Sequence, residues 1–469
     1  MRNESVWPWC LCLLTVLLAG CAATLSVTLA GSGTGSVASA PAGIACGGGG
    51  SACSTSGKNG ETRTLTATAS GSSQFAGWGG VCSGSSMCSV TLNGAQMAIA
   101  YFRTTQVAAG AFHTCGLKVD GTVKCWGRNN EGELGQGYTQ NSAPGLANQV
   151  SIGGSVAAIS AGAYHTCALL AGGTVLCWGS NTYFQIQGPQ QVDPIAAPNY
   201  VVNSVTLPVL SVAAGGYHTC EVMSDGTAMC WGYNHDGEAF WGSGAGNVQV
   251  GAVAIPGVAA ATQVTAGAYH TCALLSSGSV DCWGYNNDGE TGTAAASFNA
   301  LPISVLQIDA ATGAGVNGTT AYGGYHTCAV MSGGAVTCWG FNGHGELGNG
   351  STNGPQPTGT AVTASLPGAA TMVTAGGYHS CAIVGGAVMC WGANDAAQLG
   401  RGSWGGDLVT PAVISGGPPT ALSVDAGAYH TCAVFAGTDN VKCWGRNNEG
   451  ESGALQGSAV TTPNTPWQW

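Results

Sequence analysis

Gly110-Ala111-Phe112-His113-Thr114-Cys115, followed after a glycine-containing turn by Val123-Lys124-Cys125-Trp126-Gly127, is a pattern that this chain repeats seven times. The histidines fall at His113, His165, His218, His270, His326, His379 and His430, at intervals of 51 to 56 residues. Each copy carries a matching Cys-Trp-Gly, with tryptophans Trp126, Trp178, Trp231, Trp283, Trp339, Trp391 and Trp444. Each half of the pattern is a short apolar run bounded by glycine, which reads as a strand. A fixed period near fifty with several short strands per copy marks propeller blades, and no copy has the long 3.6-residue periodicity of helical repeats. The expected fold is all-β, a seven-bladed β-propeller over 104–469 preceded by a small all-β module over 21–103.

Fourteen cysteines fall two to a copy: Cys115 and Cys125, Cys167 and Cys177, Cys220 and Cys230, Cys272 and Cys282, Cys328 and Cys338, Cys381 and Cys390, Cys432 and Cys443. If the members of each pair lie opposite across a hairpin, the sixth copy has the two-residue loop Gly385-Gly386, a favoured connection. Copies one to five then need three-residue loops, and the seventh a four-residue loop. Opposed positions bring Cβ atoms close to disulfide distance, so one disulfide per blade is expected. A zinc site would need four ligands where one copy offers His and two Cys, so no metal is expected.

The continuation of each copy is specific. Trp126-Gly127-Arg128-Asn129-Asn130-Glu131-Gly132-Glu133-Leu134-Gly135 and Trp339-Gly340-Phe341-Asn342-Gly343-His344-Gly345-Glu346-Leu347-Gly348 are two examples. These resemble the regulator-of-chromosome-condensation repeat, a propeller-blade family, over roughly 365 residues. The chain departs from that family in its paired cysteines and in placing glutamate where the family has glutamine, at Glu133, Glu238, Glu290, Glu346 and Glu451. Gln185 and Gln398 keep the glutamine. The resemblance implies that the histidines are strand framework, satisfying backbone groups between blades. The tryptophans, as large aromatics, are expected to pack between blades.

The first twenty residues read as an address. Val6 to Leu18 is almost wholly apolar after Arg2, too short to span a bilayer but the length of a signal-peptide core. It closes with Leu18-Ala19-Gly20-Cys21, which resembles a bacterial lipobox and implies cleavage before Cys21, the lipid anchor. Ala22 after the cysteine favours, by resemblance, the outer membrane or cell surface; ordinary cleavage and secretion is the alternative. From Leu25 to about Phe102, alternating stretches such as Leu25-Ser26-Val27-Thr28-Leu29 and Thr64-Leu65-Thr66-Ala67-Thr68 read as half-buried strands. That region resembles internalin B-repeat-like surface modules. Local disulfides Cys46 with Cys53 and Cys82 with Cys88 are the simplest connectivity, and two other pairings stay open.

Twenty-one cysteines point to an oxidising compartment. Charged residues are 7% of the chain, and the net charge is −11 with ten basic residues in no run. Those figures argue against nucleic acid, whose phosphates need Lys and Arg. The expected function is therefore a non-catalytic, monomeric binding platform for an unknown protein or envelope ligand, touching the membrane through the lipid anchor only. No cofactor is expected. Tyr183, Phe184, Phe240, Trp241 and Trp404, on loops between blades, are the candidate anchors. Asn286-Asn287-Asp288-Gly289-Glu290 looks superficially like a calcium loop but lacks its alternating acids. Two other readings remain: an extracellular polysaccharide hydrolase or lyase, with Glu221, Asp225, His235, Asp236 and Glu238 converging in blade three, or a structural spacer. Finally, Val460-Thr461-Thr462-Pro463 resembles the Thr-Pro segment seen before other copies, such as Val409-Thr410-Pro411, so residues 459–469 are expected to complete the first blade.

Overall fold

The computed structural model of the chain describes residues 22–140, 146–186, 192–201, 207–239, 248–292, 299–301, 305–310, 324–353, 356–361, 366–437, 440–454, 457, 459–466 and 469. Cys21, Phe240 and Trp241 lie outside the described residues. Seven four-stranded antiparallel sheets follow one another along the chain, each made of four consecutive strands. Blade one is Gln106–Ala109, His113–Leu117, Val123–Gly127 and Asn148–Gln149, in that spatial order from the central channel outward. The other six begin with the inner strands Val156–Ala161, Val209–Ala214, Ala261–Ala266, Val305–Ala310, Ala370–Ala375 and Ala421–Ala426.

The cysteines of each blade stand directly opposite one another on the two middle strands, as in Cys115↔Cys125 and Cys432↔Cys443. They are bonded in all seven blades, with Cα atoms 4.1 Å apart. The hairpin turns absorb the spacing differences: Val384 pairs with Ala387 across Gly385-Gly386, while Phe435 pairs with Asn440 across four residues. The glycine after each tryptophan is required by backbone shape. Gly127, with φ 103°, ends its strand against His113, and a Cβ there would sit 2.9 Å from the His113 Cα.

The Thr-Pro segments belong to the copy they follow. Leu408–Val413 pairs with Ala387–Gly392 as the outer strand of blade six, and Val460–Asn464 pairs with Asn440–Gly445 as the outer strand of blade seven. The expectation that residues 459–469 complete blade one is therefore wrong. Blade one already has its outer strand in Asn148–Gln149, so the tail has no open edge there to join. Among the described tail residues, Trp469 reaches blade one, edge-on to Trp126 at 5.6 Å between ring centroids.

Residues 22–103 form two sheets packed face to face. One orders Ser54–Lys58, Ala22–Ala30, Ala95–Arg103 and Gln74–Gly80; the other orders Gly50–Ala52, Ala45–Gly47, Gly35–Ala40, Thr62–Ala69 and Cys88–Thr91. Leu25, Val37, Leu65, Trp78 and Phe102 fill the space between them. Cys46–Cys53 and Cys82–Cys88 are bonded, one tying strand Ala45–Gly47 to the residue between Gly50–Ala52 and Ser54–Lys58, the other tying Cys82 to the start of strand Cys88–Thr91.

This module seats directly on the propeller, with only Thr104 and Thr105 between its last strand and the first blade. The Tyr101 hydroxyl donates to the Val209 carbonyl at 2.7 Å. The Arg103 guanidinium donates to the Val119 carbonyl at 2.7 Å and to Ser155 Oγ at 2.6 Å. Ser32 Oγ donates to the Ala157 carbonyl at 2.9 Å. These partners lie on the hairpin turns and at the start of inner strands, so the module covers that end of the propeller. The central channel is a cavity of about 520 Å³ lined by the inner strands, and Thr28 to Ser32 close its module-side end.

Candidate binding face

A belt of side chains holds the blades together. His113 Nε2 meets Thr166 Oγ1 of the next blade at 2.8 Å, and the Thr166 hydroxyl meets the Glu133 carbonyl at 3.1 Å. The hydroxyl has one hydrogen, given to that carbonyl, so the histidine must donate from Nε2. Trp178 Nε1 donates to the same carbonyl at 2.7 Å. This triad recurs around the ring, through His165–Thr219, His218–Thr271, His270–Thr327, His326–Ser380 and His379–Thr431. It ends with His430–Thr114, which joins blade seven to blade one. The histidine partner is thus a neighbouring hydroxyl and not, as expected, a backbone group. All seven are fully buried, and burial pushes their imidazoles down to about 3, which keeps them neutral. They are framework.

One residue earlier in each copy stands an aromatic: Phe112, Tyr164, Tyr217, Tyr269, Tyr325, Tyr378 and Tyr429. Inner strands begin at the module, as Ser155 and Ala157 show, so these aromatics gather at the opposite mouth of the channel. Ring centroids of neighbours lie 5.2 Å apart for Tyr164–Tyr217, 5.9 Å for Tyr269–Tyr325, 5.5 Å for Tyr378–Tyr429 and 6.4 Å for Tyr429–Phe112. They form a collar. Burial raises the Tyr217, Tyr325 and Tyr378 phenols and lifts Tyr269 to about 12, so these four stay protonated near neutrality. Sequence reasoning passed over this position, although one aromatic at a fixed place in every copy was its signal.

The loops after Cys-Trp-Gly rise on this same face. Arg128 lies 5.1 Å from the Tyr164 ring centroid, and Arg446 lies 4.8 Å from that of Phe112. Beneath them the buried carboxylates are engaged, Glu451 Oε1 accepting from Arg446 at 2.8 Å and Glu133 Oε1 lying 3.5 Å from Arg128. Each such glutamate also braces its own loop: Glu238 Oε2 accepts from the Asp236 amide at 2.9 Å, as Gln185 Oε1 does from the Tyr183 amide. In Asn286–Glu290 the same bracing occurs, with Asn286 Oδ1 accepting from Thr291 and Glu290 Oε2 from Asp288. That loop thus spends Asn286 Oδ1 and Glu290 Oε2 on its own backbone. Among the described residues no group of three His, Cys, Asp or Glu is placed to hold a metal ion.

Of the candidate anchors, Tyr183 joins the collar, with its ring 5.3 Å from Tyr217 and 4.8 Å from Tyr233. Phe184 is half-buried beside it, with φ 59°. Trp404 stands on the same face at the tip of a loop held by Asn394, and 71% of it is exposed. The blade-three acids do not converge. Glu221 is buried on strand His218–Met223, Asp225 sits in the hairpin turn on the module side, and His235, Asp236 and Glu238 lie on the collar side. Glu221 lies mid-strand, apart from both Asp225 and the His235–Glu238 loop, so these residues form no common pocket.

Six stretches, 105–133, 156–185, 209–238, 261–290, 320–346 and 422–451, match one family model described as the regulator of chromosome condensation (RCC1) repeat, and 120–169 matches a second of that description. Six of the seven blades carry RCC1 repeats. Among curated relatives, the RCC1 domain-containing protein RUG3, mitochondrial, of Arabidopsis thaliana is 28% identical over 70% of this chain and 76% of its own length. The ultraviolet-B receptor UVR8 of the same plant is 26% identical over 74% and 78%. Among solved structures, Prp20p of Saccharomyces cerevisiae superposes with a TM-score of 0.61 over 71% of this chain and 83% of that one, at 18% identity. Human WBSCR16 gives 0.60 over 76% and 91%, at 19% identity. These two share the RCC1-type fold. The Prp20p structure is described with its binding to Gsp1p and histones, so proteins are what that RCC1 propeller binds.

Proposed function

We propose that this chain is an exported, lipid-anchored RCC1-repeat propeller that works by binding, without catalysis, and that it offers its collar face to a protein partner at the outer membrane or cell surface. One observation carries the reading: the two ends of the channel are unlike. The module occupies one end, while the other carries the aromatic collar, the long loops and the exposed Trp404. Aromatic residues grouped around a concave centre are the usual energetic anchors of protein interfaces.

The anchor fits this orientation. Cys21 immediately precedes strand Ala22–Ala30, whose far end, at Ala30 to Ser32, meets the propeller. Nine residues of strand place Ala22 roughly 26 Å from that junction. A lipid at Cys21 would hold the module against the membrane and turn the collar outward.

Affinity capture from cell-surface extracts tests this. The native protein, a Tyr217→Ala/Trp404→Ala variant and a module-side Asp225→Ala variant are compared. The reading expects specific partners to be lost with the first variant and kept with the second. Partners kept by the first and lost with the second would refute it.

A further inference from the structure

Two positions co-vary around the collar: the residue after Cys-Trp-Gly and the buried Glu or Gln five residues later. They read Arg128 with Glu133, Ser180 with Gln185, Tyr233 with Glu238, Tyr285 with Glu290, Phe341 with Glu346, Ala393 with Gln398, and Arg446 with Glu451. Where the lower residue is a neutral amide, the upper one is small. In blades one and seven a carboxylate is matched by a guanidinium that lies against a collar ring and turns back onto the glutamate Oε1.

Blades three and four keep the carboxyl and the rings but not the cation. Glu238 and Glu290 are fully buried, and each leaves Oε1 without a hydrogen bond among the described residues, as do Glu346 beneath Phe341 and Glu133, whose Oε1 has the Arg128 charge 3.5 Å away. Tyr233 and Tyr285 stand where the arginines stand elsewhere. Tyr233 lies 6.0 Å from Tyr217 and 6.1 Å from Tyr269, and Tyr285 lies 6.4 Å from Tyr269 and 5.3 Å from Tyr325. Asp236 and Asp288 add carboxylates to the same rim, and their field reaches the Tyr233 and Tyr285 phenols. No lysine or arginine occurs in the sequence between Arg128 and Arg401, and the base that does meet the arc, His235, stacks on Tyr233 at 6.2 Å and pairs with Asp236 at 3.1 Å.

We propose that the Tyr217–Tyr233–Tyr269–Tyr285 arc of blades three and four is a receptor for an arginine side chain of the partner protein, completing there the ring–guanidinium–carboxyl stack that Arg128 and Arg446 complete within the chain. The inference rests on the collar being the binding face and specifies what that face takes. Tyrosine faces attract a guanidinium through the ring quadrupole, and the buried carboxyl below them, neutral in the free chain, ionises against the bound cation and adds to the attraction. Planar guanidinium suits stacking better than a compact ammonium.

The test uses the full chain and a fluorescein-labelled Gly-Arg-Gly-Arg-Gly peptide, read by anisotropy, beside the same peptide with citrulline for arginine. Citrulline keeps the shape and removes the charge. The arginine peptide is expected to bind at least about tenfold more tightly than the citrulline peptide. Tyr233→Arg with Tyr285→Arg supplies the chain's own cations and should abolish that binding while retaining the fold, as blades one and seven do. Glu238→Gln with Glu290→Gln, a smaller change, should weaken arginine-peptide binding about threefold or more. Equal binding of the two peptides, no binding of either, or undiminished binding by both double variants would overturn the proposal. Such a result, with partner capture still lost in Tyr217→Ala/Trp404→Ala, would leave the collar as the binding face and remove only its preference for arginine.

Discussion

His430 Nε2 of the last blade donates to Thr114 Oγ1 of the first at 2.7 Å, the same bond that joins every other neighbouring pair of blades. Thr114 also donates to the Glu451 carbonyl at 2.9 Å, and Trp126 Nε1 adds a second bond to that carbonyl at 3.0 Å. The ring thus closes through side chains and not through a shared sheet.

Closure by an ordinary interface predicts an ordinary cost. Thr114→Val leaves a buried imidazole N–H without an acceptor and should destabilise by about 1–3 kcal/mol. Thr219→Val, at an internal interface with the same partners, should cost a similar amount. Urea unfolding of both variants checks this, and a much larger loss for Thr114→Val would show that the closing interface is special.

The inner turns predict a steric effect. A Cβ at Gly215 would lie 2.6 Å from its own His218 Cε1 and 2.8 Å from the Gly267 carbonyl oxygen of the next blade. Gly215→Ala should therefore lower the melting temperature clearly, by an overpacking cost of about 1–3 kcal/mol. Gly251→Ala on the outer strand has open space around its Cβ and serves as the control, though its φ of 85° adds some strain. Equal effects in the two variants would contradict the tight inner packing.

The buried glutamates predict a pH effect. Burial pushes Glu238 and Glu290 up to about 8 and Glu346 up to about 7, against about 4.3 in the unfolded chain. A carboxyl raised by folding stays protonated in the native state, so its contribution is full below about 4.3 and is lost progressively as pH rises from there to the folded values of 7 to 8. The parent should thus melt lower at pH 9 than at pH 5.5. A Glu238→Gln/Glu290→Gln/Glu346→Gln variant should lose much less over that interval, the difference being on the order of a few kcal/mol. Parallel melting curves for the two proteins would contradict the assignment.

The disulfides predict a thiol count and a stability cost. The structure bonds eighteen cysteines, from Cys46–Cys53 to Cys432–Cys443. Alkylation of the unreduced, denatured chain should leave all eighteen unmodified, as read by peptide mass spectrometry. Replacing Cys381 and Cys390 by alanine should cost about 3 kcal/mol, the loop entropy of a short ring. Alkylation of any blade cysteine before reduction would contradict the pairing.

Much of this was legible in the sequence because the repeat makes it so. Seven copies of His-Thr/Ser-Cys and Cys-Trp-Gly specify seven blades, and loop lengths between Cys115 and Cys125 or Cys381 and Cys390 specify which residues face each other. Register across a hairpin is a local property, so local spacing suffices. The order of strands within a blade was misread because Val409-Thr410-Pro411 lies between two copies, and spacing alone does not say which one it joins. The collar was missed for a related reason. Phe112 and its counterparts look like part of the strand pattern, and only the circular arrangement brings seven residues from distant positions together. Likewise Arg446 and Glu451 are five apart in sequence, but their relation to Phe112 appears only when blade seven meets blade one.

The central claim is that the collar face is where this propeller binds. Hydrogen-exchange mass spectrometry of the chain with and without a captured surface partner tests it most directly. The account predicts slowed exchange in 180–186, 233–239, 285–292 and 393–407, with none in the hairpin turns at 118–122 and 224–227. Slowed exchange in those turns, with the collar loops unchanged, would contradict it.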